Sequence, residues 1–225
     1  MAGRFDFWIR TQQDLIDAID TFGFVPLFCN SIPGFSIEEH VDPVAWFDSG
    51  TDGVWEWKGP VIQSARCAYG KFFLHKAAFV RHDLFIDFAN YRRCGDDFET
   101  LYENGEAPRT DKHLYDLIAE NGPVLSSRLK ALGDYGRGGR KGFDTILSRL
   151  QAETYVLISD FVYQRDRFGQ PYGWGVAEYS TPEQFFGADF SARVCDRTPE
   201  ESYQKLTDCL CDLLGVSKAT IKRVL

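Results

Sequence analysis

The feature that most constrains the fold is a run of three helical patterns and two strand patterns between about residues 111 and 181. Apolar residues recur at helical spacing in the first and third patterns, as Leu114, Leu117 and Ile118 and as Phe143, Ile146, Leu147 and Leu150. The first helix should end at Gly122-Pro123. The second should begin with Ser126 or Ser127 as its cap and run through Leu132.

Two strand patterns follow the helices. Residues 155–163 are β-branched and aromatic, residues 164–171 are turn-forming, and residues 172–179 are typical of a returning strand. Three helices followed by a hairpin is the order of a winged helix-turn-helix. We therefore predict an α+β fold with a winged helix-turn-helix in the C-terminal half. It should be joined to an N-terminal α/β portion of related or degenerate winged-helix type.

The N-terminal portion is aromatic-rich and less regular. Thr11 and Asp14 predict a capped helix. Apolar and polar residues alternate over 54–60, which predicts a strand with two tryptophans on one face. Residues 61–80 have the composition of one or two strands, and a helix after them should end at Arg92-Arg93.

The polar and acidic segment 96–106 is typical of a linker, and it divides the chain. We predict an aromatic-rich α+β portion at 1–107, a winged-helix unit at 108–181, and C-terminal helices at 182–225 that pack on the body. Thr181-Pro182 and Thr198-Pro199, each followed by acidic residues, are strong helix starts.

Composition excludes several classes. No apolar run approaches the roughly 20 residues that span a bilayer, and residues 1–6 lack the apolar region of a signal peptide. The six cysteines include no C-x-x-C pair, and no two of the four histidines are four residues apart. We therefore expect a cytoplasmic protein with free thiols, no metal, no cofactor and no membrane partner.

The charge is unevenly distributed. The chain has a formal net charge of −8, yet residues 58–95 carry seven bases and two acids, and residues 128–167 carry eight bases and five acids. Two basic blocks in an acidic chain can form one positive face that attracts DNA. The alternative is that these charges are scattered over the surface and solvated.

Three short blocks carry a resemblance to a known family. They are Trp55-Glu56-Trp57-Lys58, Ala68-Tyr69-Gly70-Lys71-Phe72-Phe73 and Arg92-Arg93. With the helices and hairpin behind them, they resemble the AlkZ-related group, short relatives of the bacterial winged-helix DNA glycosylases AlkZ or YcaQ. The resemblance implies winged-helix architecture and a connection with DNA. Those glycosylases use a Gln-x-Gln motif to position the hydrolytic water. No two glutamines here are separated by one residue, so glycosylase activity is not carried over.

Candidate nucleic-acid contacts cluster around the third helix and the hairpin. They are Arg137, Arg140 and Lys141 in a glycine-rich loop, Arg149 on the helix, and Arg165 and Arg167 in the hairpin turn. The loop and turn cations suit phosphates, and Arg149 suits a guanine edge. The rest of the helix offers few side chains that recognise bases. The other residues expected to face outward are Asp144, Thr145, Ser148, Gln151 and Ala152. The alternative is a winged helix that contacts protein.

A second basic patch is predicted from Lys58, Lys71, Lys76, Arg92 and Arg93. Neighbouring aromatic residues can stack on bases in a positive groove. The alternative interpretation places the aromatic side chains in the core. In that interpretation, Arg92 and Arg93 bind carbonyl groups at a helix end.

No nucleophile motif and no phosphate-binding loop is present, so no catalytic residue is assigned. Asp42, Asp48, Asp52 and Glu56 surround a tryptophan-rich segment, where a carboxylate can act as an acid or base. The alternative is that these acids cap helices and turns.

The leading hypothesis is a winged-helix protein that binds nucleic acid without catalysis. The second is a repair-type enzyme acting on modified bases, which requires a concave site between residues 40–95 and the winged-helix unit. The third is a protein-interaction module, with a partner protein or a second copy of the chain.

Overall fold

The computed structural model describes residues 7–47, 53–73 and 75–225. The protein is a mixed α+β structure that contains two three-stranded antiparallel sheets in this described part. None of the helices in these ranges is both long and apolar enough to cross a membrane.

The first sheet is surrounded by helices of the N-terminal half. The elements in chain order are α1 (Gln12–Phe22), β1 (Phe24–Pro26), a 3-10 turn (Ile37–Glu39), α2 (Pro43–Phe47), α3 (Val54–Ala65), β2 (Ala68–Phe73), β3 (Lys76–Val80), α4 (His82–Arg93) and α5 (Phe98–Glu103). The strand order is β1-β3-β2. Helix α1 begins as predicted, because the Thr11 hydroxyl accepts a hydrogen bond from the Asp14 amide and the Asp14 carboxylate accepts one from the Thr11 amide.

The strand predicted over 54–60 was wrong, because this segment begins helix α3. Val54, Trp57 and Val61 are buried at helical spacing. The same segment also alternates between apolar and polar residues, which is why it resembled a strand. Pro60 lies inside the helix on an exposed position. Of residues 61–80, only the part after α3 forms the two strands.

The segment expected to be a linker, 96–106, contains helix α5. The Asp97 carboxylate caps this helix by accepting a hydrogen bond from the Thr100 amide at 2.8 Å. Phe98 is buried and stacks on Tyr115, with 4.3 Å between ring centroids. The acidic residues therefore cover a short helix that belongs to a packed core.

The C-terminal half contains the three predicted helices and the hairpin. Its elements are α6 (Arg109–Asn121), β4 (Val124–Leu125), α7 (Ser126–Leu132), α8 (Phe143–Ala152), β5 (Leu157–Arg165), β6 (Pro171–Ser180), α9 (Pro182–Phe186), α10 (Asp189–Val194), α11 (Pro199–Leu214) and α12 (Lys218–Ile221). The second sheet has the order β4-β6-β5. Neither Ser126 nor Ser127 caps α7, because the N-cap position belongs to Leu125.

Capped helices close the chain. Thr181 and Thr198 begin helices as predicted, and each forms a capping box with proline at the start of the helix. Helix α11 packs against α4, where the Asp87 carboxylate is buried. The Asp87 carboxylate accepts hydrogen bonds from Arg197 at 2.6 Å, from the Ser202 hydroxyl at 3.1 Å, and from Lys205.

Two hydrophobic cores meet at the start of strand β5. Tyr155 and Val156 belong to the core formed with α5, α6, α7 and α8. Leu157 and Ile158, the next two residues, belong to the core around the first sheet and the C-terminal helices. The strand thus fixes the hairpin relative to both halves of the molecule.

Candidate functional site

A wide cleft lies between helix α3 and the β5–β6 hairpin. Its volume is about 650 Å³, within the usual range for small-molecule sites. Helix α3 contributes Glu56, Pro60 and Gln63, β5 contributes Asp160, Phe161, Val162, Tyr163 and Arg165, and β6 contributes Pro171, Tyr172 and Gly173. It is the concave site, between the N-terminal portion and the hairpin, that the repair-enzyme hypothesis requires.

The wall of the cleft depends on a close approach at Gly59. A Cβ atom at this position would lie 2.6 Å from Asp160 Oδ1 and 3.4 Å from the Phe161 amide nitrogen. A side chain at residue 59 would displace the Asp160 carboxylate, whereas the β5 backbone would stay at contact distance, so the missing Cβ leaves room for the Asp160 side chain against α3. Glu56, Pro60 and Gln63 follow one another at helical spacing and so face the cleft together.

The polar groups of the cleft are mostly hydrogen-bond acceptors. Gln63 Nε2 donates to the Ser159 carbonyl at 2.7 Å, and Asp160 Oδ1 accepts from the Phe161 amide at 2.7 Å. Glu56 Oε2 is fully enclosed and has no hydrogen-bond partner in the described part of the chain. The cleft therefore suits a ligand that brings hydrogen-bond donors or positive charge.

Tyr163 lies where the cleft meets the helix. Its hydroxyl donates to the Trp55 carbonyl at 3.3 Å. Burial raises the pKa of Tyr163, and the Glu56 carboxylate raises it further. This hydroxyl stays protonated at neutral pH, so it acts as a hydrogen-bond group and not as a base.

Lys58 is buried beside the cleft and forms no ion pair with any residue in the described ranges. Only 8% of its surface is exposed, and Nζ lies 4.4 Å from the centroid of Trp55 and 4.2 Å from that of Phe161. Burial lowers its pKa to about 8, although the Glu56 carboxylate opposes this shift. Lys58 is thus not part of an exposed basic patch.

The hairpin presents aromatic and cationic side chains to solvent. Phe168, Tyr172 and Trp174 are 73%, 52% and 78% exposed, which is unusual for large apolar residues. Arg165 donates to the Gly169 carbonyl at 2.8 Å, and the Arg167 guanidinium lies 4.6 Å from the Phe168 ring centroid. These contacts keep both arginines at the hairpin turn, where their charge faces solvent.

Strand β6 of the hairpin meets a cluster of tryptophans close to the turn. Trp174 contacts Trp55 edge to face at 6.1 Å between centroids, and Trp55 contacts Trp46 at 5.6 Å. Trp57, by contrast, is buried in the core, as are Tyr69, Phe72 and Phe73. Most aromatic residues near the predicted second basic patch therefore follow the alternative interpretation and form the core.

The glycine-rich loop before α8 is closed by backbone hydrogen bonds. The Arg140 amide donates to the Asp134 carbonyl at 2.6 Å, and the Gly139 amide donates to the Gly136 carbonyl at 3.1 Å. Arg137, Arg140 and Lys141 are exposed, and their side chains form no ion pair within the described ranges. All three cations are available to an anionic partner.

Arg149 occupies a different environment from the loop cations. Its guanidinium forms two hydrogen bonds with the buried Asp111 carboxylate, at 2.5 and 2.6 Å. The Asp111 side chain is 2% exposed, so the pair neutralises a charge inside the helical core. In this structure Arg149 is engaged by the protein and does not present a free guanidinium to a guanine edge.

The outward face of α8 is partly covered by the first sheet. Gln151 Oε1 accepts a hydrogen bond from the Lys71 amide at 3.2 Å, and Lys71 Nζ donates to the Ser148 hydroxyl at 3.0 Å. Gln151 and Ala152, expected to face outward, are buried. Asp144 and Thr145 remain exposed. The prediction that Gln151 and Ala152 face outward was therefore wrong.

The five residues of the predicted second patch do not share one exposed surface. Arg92 donates to the Ala152 carbonyl at 3.2 Å, and its burial lowers its pKa. Arg93 is buried and binds Glu183 Oε1 and the Thr154 carbonyl, both at 2.7 Å. Lys76 donates to the Cys29 carbonyl at 2.6 Å, whereas Lys58 and Lys71 pack as described above.

The predicted carboxylates separate into different roles. Asp42 accepts a hydrogen bond from the Val44 amide at 2.8 Å, as a helix-start residue does. Glu56 lines the cleft, and Asp48 and Asp52 lie outside the described residues. The cleft also contains polar residues that no local motif in the sequence indicates, namely Asp160, Gln63 and Tyr163. Among the described residues, no three metal-binding side chains lie close enough to hold an ion.

The comparisons with known proteins point to one family. The family model described as AlkZ related matches residues 9–225 of the chain. A search of curated proteins and a search of solved structures each gave no match. The family match covers the cleft, the hairpin and both sheets.

Replacing Arg149 by Met should reduce stability. The substitution leaves the buried Asp111 carboxylate unpaired, and we expect the free energy of unfolding to fall by about 1–3 kcal/mol, since Arg149 itself is partly exposed. Urea denaturation measures this value. Arg128→Met, at an exposed position, is the control. Equal stability of the two variants contradicts a structural role for the Asp111–Arg149 pair.

Replacing Lys58 by Met should increase stability near neutral pH. The folded protein holds Lys58 with a lowered pKa, so the unfolded chain binds more protons between pH 8 and the ordinary lysine value. The stability of the wild type relative to the variant should therefore rise with pH across that window. We expect a difference of about 1–3 kcal/mol at pH 7. Denaturation from pH 6 to 10 tests this, and a constant difference contradicts it.

Proposed function

The chain belongs to the AlkZ-related family, and we propose that it binds nucleic acid through the β5–β6 hairpin and receives an unstacked base in the adjoining cleft. The observation that carries the proposal is the position of the cleft directly beside exposed aromatic and cationic hairpin residues. A family named for its relation to AlkZ is consistent with DNA as the partner.

The order of elements supports a winged-helix interpretation of the C-terminal half. Helix α6, strand β4, helices α7 and α8, and the β5–β6 hairpin follow one another, and the short β4 pairs with β6. In this interpretation the hairpin is the wing, which in such units contacts the backbone or the minor groove. The two hairpin arginines suit phosphates, and Phe168, Tyr172 and Trp174 suit stacking on bases.

Helix α8 contributes little base reading to this proposal. Ser148 and Gln151 contact β2, and Arg149 is paired with Asp111. The exposed Asp144 near the start of the helix repels phosphates. Binding should therefore depend on phosphate contacts and stacking, with weak preference for sequence.

The cleft has the size and chemistry for one base. Its volume of about 650 Å³ exceeds that of a nucleobase, and its acceptor-rich lining suits bases with amino groups. Because an unpaired base costs least to expose, we expect tighter binding to single strands or mismatched duplexes than to perfect duplexes.

Removal of the hairpin cations should weaken binding and its salt dependence. For Arg165→Ala with Arg167→Ala on duplex DNA, we expect the slope of log K against log salt to fall by up to roughly 0.9 for each phosphate that is no longer neutralised. Fluorescence anisotropy from about 25 to 200 mM salt measures the slope. The matched control is Lys222→Ala with Arg223→Ala, which removes two exposed charges elsewhere. An effect equal to that of the control rejects the role of the hairpin.

The loop cations are tested in the same way. The triple variant Arg137→Ala, Arg140→Ala and Lys141→Ala should lower affinity and flatten the salt dependence, because these side chains are exposed and unpaired within the described ranges. An unchanged slope removes the loop from the interface. Absence of binding by the wild type at the lowest salt rejects the nucleic-acid proposal as a whole.

A second candidate function is release of a modified base, and the position of Glu56 in the lining of the cleft favours it. A carboxylate there can stabilise positive charge on the sugar, or accept a proton from the water that replaces the base at C1′. Glu56→Gln should retain binding and lose at least about 100-fold in release of an alkylated base from an oligonucleotide. Release at the wild-type rate by this variant excludes Glu56, and no release by the wild type leaves binding alone.

A further inference from the structure

Lys58 differs from the other cations in the described part of the chain. It is more than nine-tenths buried, yet its ammonium group has neither a hydrogen-bond acceptor nor a carboxylate partner there. Arg93, similarly buried, is paired with Glu183 and a carbonyl group. A buried, unpaired lysine is costly for stability, and a lysine in apolar surroundings is the form that enzymes use as a nucleophile.

The position of Lys58 places this amine next to the cleft. Phe161, one of the two rings that cover Nζ, also lines the cleft. Glu56 and Pro60, two residues before and after Lys58 on α3, line it as well. The other covering ring, Trp55, touches the exposed Trp174 of the hairpin. Nζ thus packs against a ring that also forms part of the cleft lining.

We propose that Lys58 is a nucleophilic amine that forms an imine with a sugar aldehyde, the group that the opened deoxyribose of an abasic site presents. The choice of an abasic site rests on the proposed binding of nucleic acid, whereas the reactivity of the amine does not. The lowered pKa supports this role, because about a tenth of Lys58 is neutral at pH 7, compared with well under a thousandth of an ordinary lysine.

The reaction balances without a further reagent. The Nζ lone pair adds to the aldehyde carbon, and the carbonyl oxygen takes up a proton. The nitrogen then loses a proton, the hydroxyl group takes up another, and water leaves as the carbon–nitrogen double bond forms. Cyanoborohydride, added as the trapping reductant, delivers hydride to the imine carbon and leaves a stable secondary amine on Lys58.

The reactivity is tested first with 2-deoxyribose and cyanoborohydride on the full chain. Peptide mass mapping gives the rate at each lysine. We expect Lys58 to be labelled at least about 10-fold faster at pH 7 than the exposed Lys76, with a rate that levels off above about pH 8. Labelling of Lys58 no faster than Lys76 overturns the proposal. Lys58→Met should lose this label and remain folded.

The substrate class is tested with an abasic-site duplex under the same reduction. A covalent complex on a denaturing gel is expected for the wild type and for Lys76→Met, and its yield should fall at least about 10-fold for Lys58→Met. A complex of equal yield in both variants overturns the assignment to Lys58. DNA binding without a covalent complex overturns the abasic substrate. Fast labelling by deoxyribose without DNA binding supports the amine while rejecting the proposed function.

Discussion

The structure depends on the short run of residues 155–158, where one strand enters two hydrophobic cores in succession. Tyr155 and Val156 pack with helices α5, α6, α7 and α8, and Leu157 and Ile158 pack with the first sheet and the C-terminal helices. Burial of apolar surface on both sides fixes the direction of β5 as it leaves the cores. Asp160 and Phe161 follow on the same strand and lie next to Gly59 of α3. The packing of the two cores therefore sets the distance between β5 and α3, and with it the width of the cleft.

Local signals in the sequence predicted the elements that local chemistry decides. The capping residues Thr11, Thr181 and Thr198 act within one helical turn, and the hairpin strands differ clearly in composition from their turn. Helix α3 was missed because its two tryptophans imitate strand alternation while Val54, Trp57 and Val61 follow helical spacing. A pattern of seven residues carries both periods, and only packing against neighbours decides between them.

The residues that line the cleft could not be predicted from the sequence, because contacts between distant parts of the chain bring them together. Glu56 and Asp160 are about a hundred positions apart, and they line one cleft because strand β5 passes next to helix α3 at Gly59. Counting charges also gave no information on burial: of the predicted cations, Arg149 neutralises Asp111 and Arg93 binds Glu183. The cations of the hairpin turn and the glycine-rich loop stay exposed, because both segments lie outside the cores.

The division of the hairpin into a buried root and a solvated outer half has an evolutionary consequence. Substitutions at 155–158 disturb two cores at once and should be strongly selected against. Residues 164–172 belong to neither core, so drift there costs little stability. The outer hairpin of this fold can therefore vary in sequence while the two cores that hold the hairpin in place remain the same.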